Sequence, residues 1–282
     1  IAGFLVQGED FALEEIAGKI GLDFILKVPD ELIQDGELKV ARTKLPTLRL
    51  FYRDFLERKG LDTTPLRKLL LKHLDEDKIR GAGKDLGVVT FNLTEMKSEE
   101  VFVDEMPAGT LIDYLMASAA FPGFERPRIL GKNYVDGGVY DNMPYGMARR
   151  RGYRRIIIVD IAGIGLNRRP NIQGGVTVYI KSSIKMGGAL DFSRKFLDDF
   201  MNLGYLDTLR TFDYLKGYKY FLTRDDDIER EFTRFLRGRE GQKLLSKYLT
   251  EHGHPINDPR PEALRLIFPR QMRYEQNLLL VL

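Results

Sequence analysis

Between Leu86 and Ile180 the chain alternates short, strongly apolar runs with amphipathic ones. Leu86–Leu93 reads as a buried strand and Val101-Phe102-Val103 as its shorter neighbour. Further strands are expected at Tyr134–Asp136, Arg154–Ile161 and Val176–Ile180. Helices are expected between them at Thr110–Ala120 and Met143–Arg151, the first ending at Phe121-Pro122-Gly123 and the second at Gly152. Strands that alternate with helices predict an α/β fold, a mainly parallel sheet with helices on both faces. After about Asp191 the strand signals thin out. Phe192–Leu206, Asp227–Leu236, Gly241–Glu251 and the stretch from Arg260 onward read as a mostly helical C-terminal region.

The segment before this sheet is mixed and mostly helical. Ile1–Gln7 reads as helix, broken at Gly8-Glu9-Asp10, and Asp10 can cap a further helix over Phe11–Lys19. Thr47 can cap Leu48–Lys59, and Thr64-Pro65 opens Leu66–Leu74. The first and last residues, apolar and uncapped, read as cut ends, so the chain is expected to be a fragment lacking its own start and finish. No apolar run is long enough to span a bilayer, and no charged flank marks a secretory signal.

Composition excludes some chemistry. With no cysteine there are no disulfides, thiolate metal sites or cysteine nucleophiles. A net charge of +3, from 44 basic and 41 acidic residues, argues neither for nor against nucleic acid. The three histidines are scattered: His73 lies in a charged helix, while His252 and His254 sit in a polar loop without a third metal ligand. None of the six serines lies in Gly-x-Ser-x-Gly, and Ser118, among small residues, reads as structural.

Two aspartates compete as strand-end carboxylates. Asp136 follows Tyr134-Val135 and precedes Gly137-Gly138, a place where the backbone turns sharply and another segment can come close. It fits a general base as well as an aspartate that closes a β-turn. Asp160 ends Ile156–Val159 before a glycine-bearing loop, but no phosphate-binding glycine motif precedes it, which favours a structural role. The basic run Arg149, Arg150, Arg151, Arg154 and Arg155 fits cations at a helix C-terminus, or a patch for anionic lipid headgroups.

Three blocks in order carry a resemblance: Gly87–Thr94, Met116-Ala117-Ser118-Ala119-Ala120-Phe121-Pro122-Gly123, and Tyr134-Val135-Asp136-Gly137-Gly138 with Asn142 and Pro144. Together they resemble the second half of a bacterial-type patatin-like phospholipase domain, a patatin-like α/β/α fold. The match is ordered to about Ile161 and looser to about Leu215. It implies a patatin-like domain over residues 1–215, followed by a mostly helical extension over 216–282.

The resemblance implies lipid acyl ester hydrolysis by a Ser-Asp dyad, of phospholipase A or lysophospholipase type, with no histidine, metal or cofactor. Asp136 would be the catalytic base, and Gly137 and Gly138 the turn that supports it. The serine elbow and the oxyanion loop are expected upstream of Ile1, so the fragment alone would be inactive. The implied partner is a lipid or phospholipid, met in the cytoplasm or at a membrane surface, with export left open and no nucleic acid involved. The region Asp23–Gly83 would cover or admit the acyl chain. A chain with neither nucleophile nor oxyanion loop also fits a second class, a non-catalytic lipid-binding or interaction module on the same fold.

Overall fold

The structure is a computed structural model that describes residues 1–9, 12, 15–16, 19–34, 37–38, 45–161, 163, 165–166, 174–182, 184, 192–217, 220–223, 226–251, 253–257 and 259–266. The chain forms two compact units, Ile1–Thr177 with Met186–Asp199, and Val178–Lys185 with Phe200–Leu282. Asp10, most of the helix expected over Phe11–Lys19, His252 and everything after Leu266 lie outside the described residues.

The first unit opens with α1 (Ala2–Gln7), followed by a two-residue ladder of β1 (Ile33–Gln34) and β2 (Glu37–Leu38). Then come α2 (Leu45–Arg58), α3 (Thr64–His73) and α4 (Glu76–Gly81). The helix expected over Leu48–Lys59 starts at Leu45, so Thr47 lies inside α2 instead of capping it. Thr64-Pro65 does open α3, where the buried Asp62 accepts the Thr64 N–H at 2.8 Å. A second apolar cluster, Leu22, Leu26, Leu32 and Phe124 with Phe51 and Phe121 packed on it, underlies this helical part.

The central sheet contains β3 (Gly87–Asn92), β4 (Lys97–Phe102), β5 (Arg128–Ile129) and β6 (Lys132–Asp136), in the spatial order β4-β3-β6-β5. Each of its pairings is antiparallel, which corrects the expectation of a mainly parallel sheet. The connections explain the sense. Residues 93–96 alone join β3 to β4, and Asn92 Oδ1 closes that turn by accepting the N–H groups of Thr94 and Glu95, each at 3.0 Å. Leu130-Gly131 joins β5 to β6 with φ of 49° and 82°, the both-positive geometry of a tight hairpin. Connections this short can join only antiparallel neighbours.

Between the hairpins stands α5 (Leu111–Ser118), where Leu111, Ile112, Tyr114, Met116 and Ala117 are all buried. Its free N–H groups at the start are met by Glu76, whose carboxylate accepts from Gly109 N at 2.9 Å and Leu111 N at 3.2 Å while pairing with Arg80. The main core joins α5 to the sheet through Val88, Val103, Ile129 and Tyr134. After β6 come α6 (Tyr145–Arg150), β7 (Arg155–Asp160), β8 (Val176–Lys181) and α7 (Arg194–Thr211).

The second unit is helical only in part, a correction to the expected C-terminal region. A short antiparallel ladder pairs β9 (Leu215–Lys216) with β10 (Leu222–Thr223). Then α8 (Asp226–Arg237) and α9 (Arg239–Glu251) form a helical hairpin. Phe232, Leu236, Leu245 and Leu249 make its core, with Ile256 and Ala263 packed against them. Pro261–Leu266 is a 3₁₀ segment where a longer helix was expected. Among the described residues no helix is long and apolar enough to cross a membrane.

Candidate active site

Asp136 is the last residue of β6, and its φ of −45° and ψ of 130° turn the chain into a 3₁₀ turn over Gly137–Val139. Its N–H donates to Ala120 O at 2.9 Å, tying the strand end to the residues just past α5. The carboxylate Oδ1 accepts the Gly138 N–H at 2.8 Å. Burial pushes the Asp136 carboxyl above the ordinary carboxylate range, and that single backbone donor pulls it back in part. A raised pKa is what a carboxylate needs in order to act as a base.

The two glycines are held for different reasons. A Cβ on Gly137 would stand 2.8 Å from Val89 Cγ1 and closer still to Val89 O, so only hydrogen fits against β3. A Cβ on Gly138 would sit 3.0 Å from Asn142 Oδ1. Gly137 O accepts the N–H groups of Tyr140 and Asp141 at 2.9 and 3.0 Å, and buried Asp141 accepts the Met143 N–H at 3.1 Å. The turn is further braced by the loop after β7. Leu166 N–H donates to Gly138 O at 2.9 Å, Asn142 N–H to Leu166 O at 2.8 Å, and Asn142 Nδ2 to Gly163 O at 3.3 Å.

Asp136, Gly137 and Gly138 open onto a cavity of about 530 Å³. Leu66, Leu70 and Leu74 form one wall, at the i, i+4, i+8 spacing of a single face of α3 and the residue after it. The start of β3, the end of α5 and the first three residues of α1 complete it. Packing fixes α1 there: a Cβ on Gly3 would meet Leu74 Cδ2 at 3.1 Å, and Gln7 bonds His73 O at 2.7 Å and the Asp75 N–H at 3.2 Å. The volume lies within the ~300–1,000 Å³ of small-molecule sites, and the walls are mostly aliphatic.

Ser118, read as structural from the sequence, and Asn142, from the third matching block, both belong to this cavity. Ser118, at the end of α5, lines it beside Asp136. The spacing of the α3 leucines was visible in the sequence, but nothing there said which element they face. Asp160 is buried and does not line the cavity, and neither does any histidine among the described residues. His73 packs its ring against Phe4 at 6.1 Å. The described residues contain no cluster of three or more potential metal ligands.

Three arginines of the run, Arg149, Arg150 and Arg151, brace the fold. Arg151 pairs with Asp85 at 3.0 Å and with Asp104, and lies over the Phe102 ring at 4.5 Å. Arg150 pairs with Glu100, and Arg149 donates to Thr177 Oγ1 at 3.0 Å. These contacts clamp the end of α6 onto β4 and the sheet.

The family model for patatin-like phospholipases matches residues 1–149, the half of the chain that holds α1, the antiparallel sheet, Asp136 and the whole cavity lining. The chain belongs to the patatin-like phospholipase family. That membership carries lipid acyl hydrolysis as the general activity of the family and a lipid as its substrate class. No curated protein matches the chain significantly.

Proposed function

We propose that the intact protein is a serine-dependent lipid acyl hydrolase of phospholipase A or lysophospholipase type, in which Asp136 activates a serine upstream of Ile1. The observation that carries this reading is the meeting of a half-buried carboxyl, its pKa raised by burial, with an aliphatic cavity at the start of α1. A serine on the turn leading into α1 would enter the same space and stand at a helix N-terminus, where developing negative charge is favoured.

The chemistry then needs four proton transfers through one group, two in each half-reaction. Asp136 takes the hydroxyl proton as the serine oxygen attacks the ester carbonyl carbon, then gives it to the departing alcohol. In the second half a water loses its proton to Asp136 and attacks the acyl-enzyme; the acyl–oxygen bond breaks, the fatty acid leaves, and Asp136 returns the proton to the serine oxygen. The α3 leucines hold the acyl chain, and burial raises the pKa of the carboxyl, which makes it a stronger base than an exposed aspartate. Such an enzyme meets its substrate at a membrane surface, as a peripheral protein.

A serine-directed fluorophosphonate on the full-length gene product tests this. Covalent labelling of a serine just upstream of Ile1 is the expected result, and folded protein that takes no label sinks the reading in favour of a non-catalytic lipid-binding module. Asp136→Asn should abolish turnover while the fold persists.

A further inference from the structure

Thr90, in the middle of β3, is fully buried, and its Oγ1 has no hydrogen-bond partner. Burying a hydroxyl without a partner is costly, and such groups in a folded protein ask for a reason. The strand register supplies one. Thr90 stands directly opposite Asp136 on β6 and directly opposite Glu99 on β4. Residues so paired share a sheet face with Cβ atoms about 4.5–5.5 Å apart. One row across three strands therefore reads Glu99, Thr90, Asp136, with the only neutral donor between two carboxylates.

The two carboxylates differ in what they lack. Glu99 is already engaged: its Oε1 accepts from Asn92 Nδ2 at 2.8 Å and its Oε2 from the Tyr134 hydroxyl at 3.0 Å, both in the next row. Asp136 has one donor, the Gly138 N–H on Oδ1. We propose that Thr90 is a positioning residue for Asp136, its hydroxyl supplying the second donor that holds the carboxylate ionised and aimed at the nucleophile. The proposal rests on the reading of Asp136 as the base. No hydrogen bond joins the two residues in the free protein, and catalytic hydrogen bonds commonly tighten only once substrate is bound. A turn about the Thr90 Cα–Cβ bond is enough to re-aim the hydroxyl.

The other ionisable side chains that share this row or line the cavity are Glu99 and Asp141, and the test leaves both in place. The experiment is the pH dependence of kcat/KM on a soluble short-chain ester, with the full-length protein. Thr90→Val has the same shape and no donor. Loss of one donor to the ionised carboxylate should move the acidic limb up by about one pH unit and lower the plateau roughly tenfold. Thr90→Ser keeps a hydroxyl and should keep the wild-type limb.

A purely structural role predicts the opposite for valine: an unmoved limb in a protein at least as heat-stable, since an unsatisfied buried group has gone. That result overturns the proposal. Should Thr90→Val fail to fold, Thr90→Ala against Thr90→Ser gives the same comparison, and equal limbs for those two again overturn it. Asp136→Asn separates the two ideas. Retained activity there removes the base and Thr90's role with it; loss of activity with an unmoved Thr90→Val limb removes Thr90 alone.

Discussion

Asp136 and Asp160 arise from the same local grammar, an apolar strand running into an aspartate and a glycine-bearing loop, yet they end in different places. Asp136 closes a strand hydrogen-bonded on both sides, by β3 and β5, and its half-buried carboxylate opens onto the leucine-walled cavity. Asp160 closes β7, whose Ile157 and Val159 are 59% and 62% exposed, and is itself only 8% exposed and away from that cavity. Apolar content thus says little about the site: the more apolar strand is the more exposed one. Being more deeply buried does not make Asp160 the better candidate either, because a base must reach its substrate. What separates them is the surface opposite the strand end. Asp136 faces a helix that presents an unbroken aliphatic stripe, and the backbone of the Asp160 loop serves chiefly to brace it, through Leu166 and Gly163.

The sharpest way to break this contrast is paired amide substitution in the full-length enzyme. Asp136→Asn should lower kcat by at least about 10³, the scale expected when a general base is removed. Asp160→Asn, at equal folded content by circular dichroism, should stay within about tenfold of wild type, as expected for a residue outside the reacting atoms. Comparable losses at both positions would mean that the two strand ends share one site.

A second contrast lies in the glycines of the two loops. Gly137→Ala drives a methyl into the β3 backbone at Val89 and should cost about 2–3 kcal/mol in urea unfolding, the scale of overpacking against groups that cannot move. Gly163→Ala meets only the end of the Asn142 side chain, at 3.3 Å, and should stay within about 0.5 kcal/mol. Equal losses would show that the Asp160 loop is as tightly fitted as the turn it supports.

Much of the site could be read from sequence because its signals are local. Asp136 with its glycine pair, the helix ending near Pro122 and the strand around Val88 each depend on neighbours within a few residues. The sense of the sheet depended on a different signal. Burial periodicity reports which face is covered, not which way a strand runs, and direction was written in the turns: Leu130-Gly131 between two short strands, and Asn92 before Thr94. The polar first half of β4, Lys97-Ser98-Glu99-Glu100, was missed because an edge strand need not be apolar. The arginine run could be placed at a helix end, but its partners Asp85, Glu100 and Asp104 are dozens of residues away. Thr90 was invisible for the same reason, since only the register puts it opposite Asp136.

The smallest effect expected is also the one that tests the electrostatics of the turn without any substrate. A carboxyl whose pKa is higher folded than unfolded holds its proton more tightly in the fold. Its contribution to stability is fully present below the unfolded value, about 3.9, and is lost as pH rises through the folded one. At neutral pH the ionised Asp136 is therefore a mild burden on the fold, discounted because the group is only half-buried. Asp136→Asn keeps an oxygen for the Gly138 N–H and removes the burden, so it should match or slightly exceed wild-type stability at pH 7. That advantage should shrink toward zero near pH 4. Asp160, buried and with an interaction partner, should instead lose stability on the same change at pH 7. A loss for Asp136→Asn at neutral pH that persists in acid would show that the carboxylate is held there for structure, and the two strand ends would then differ in position alone.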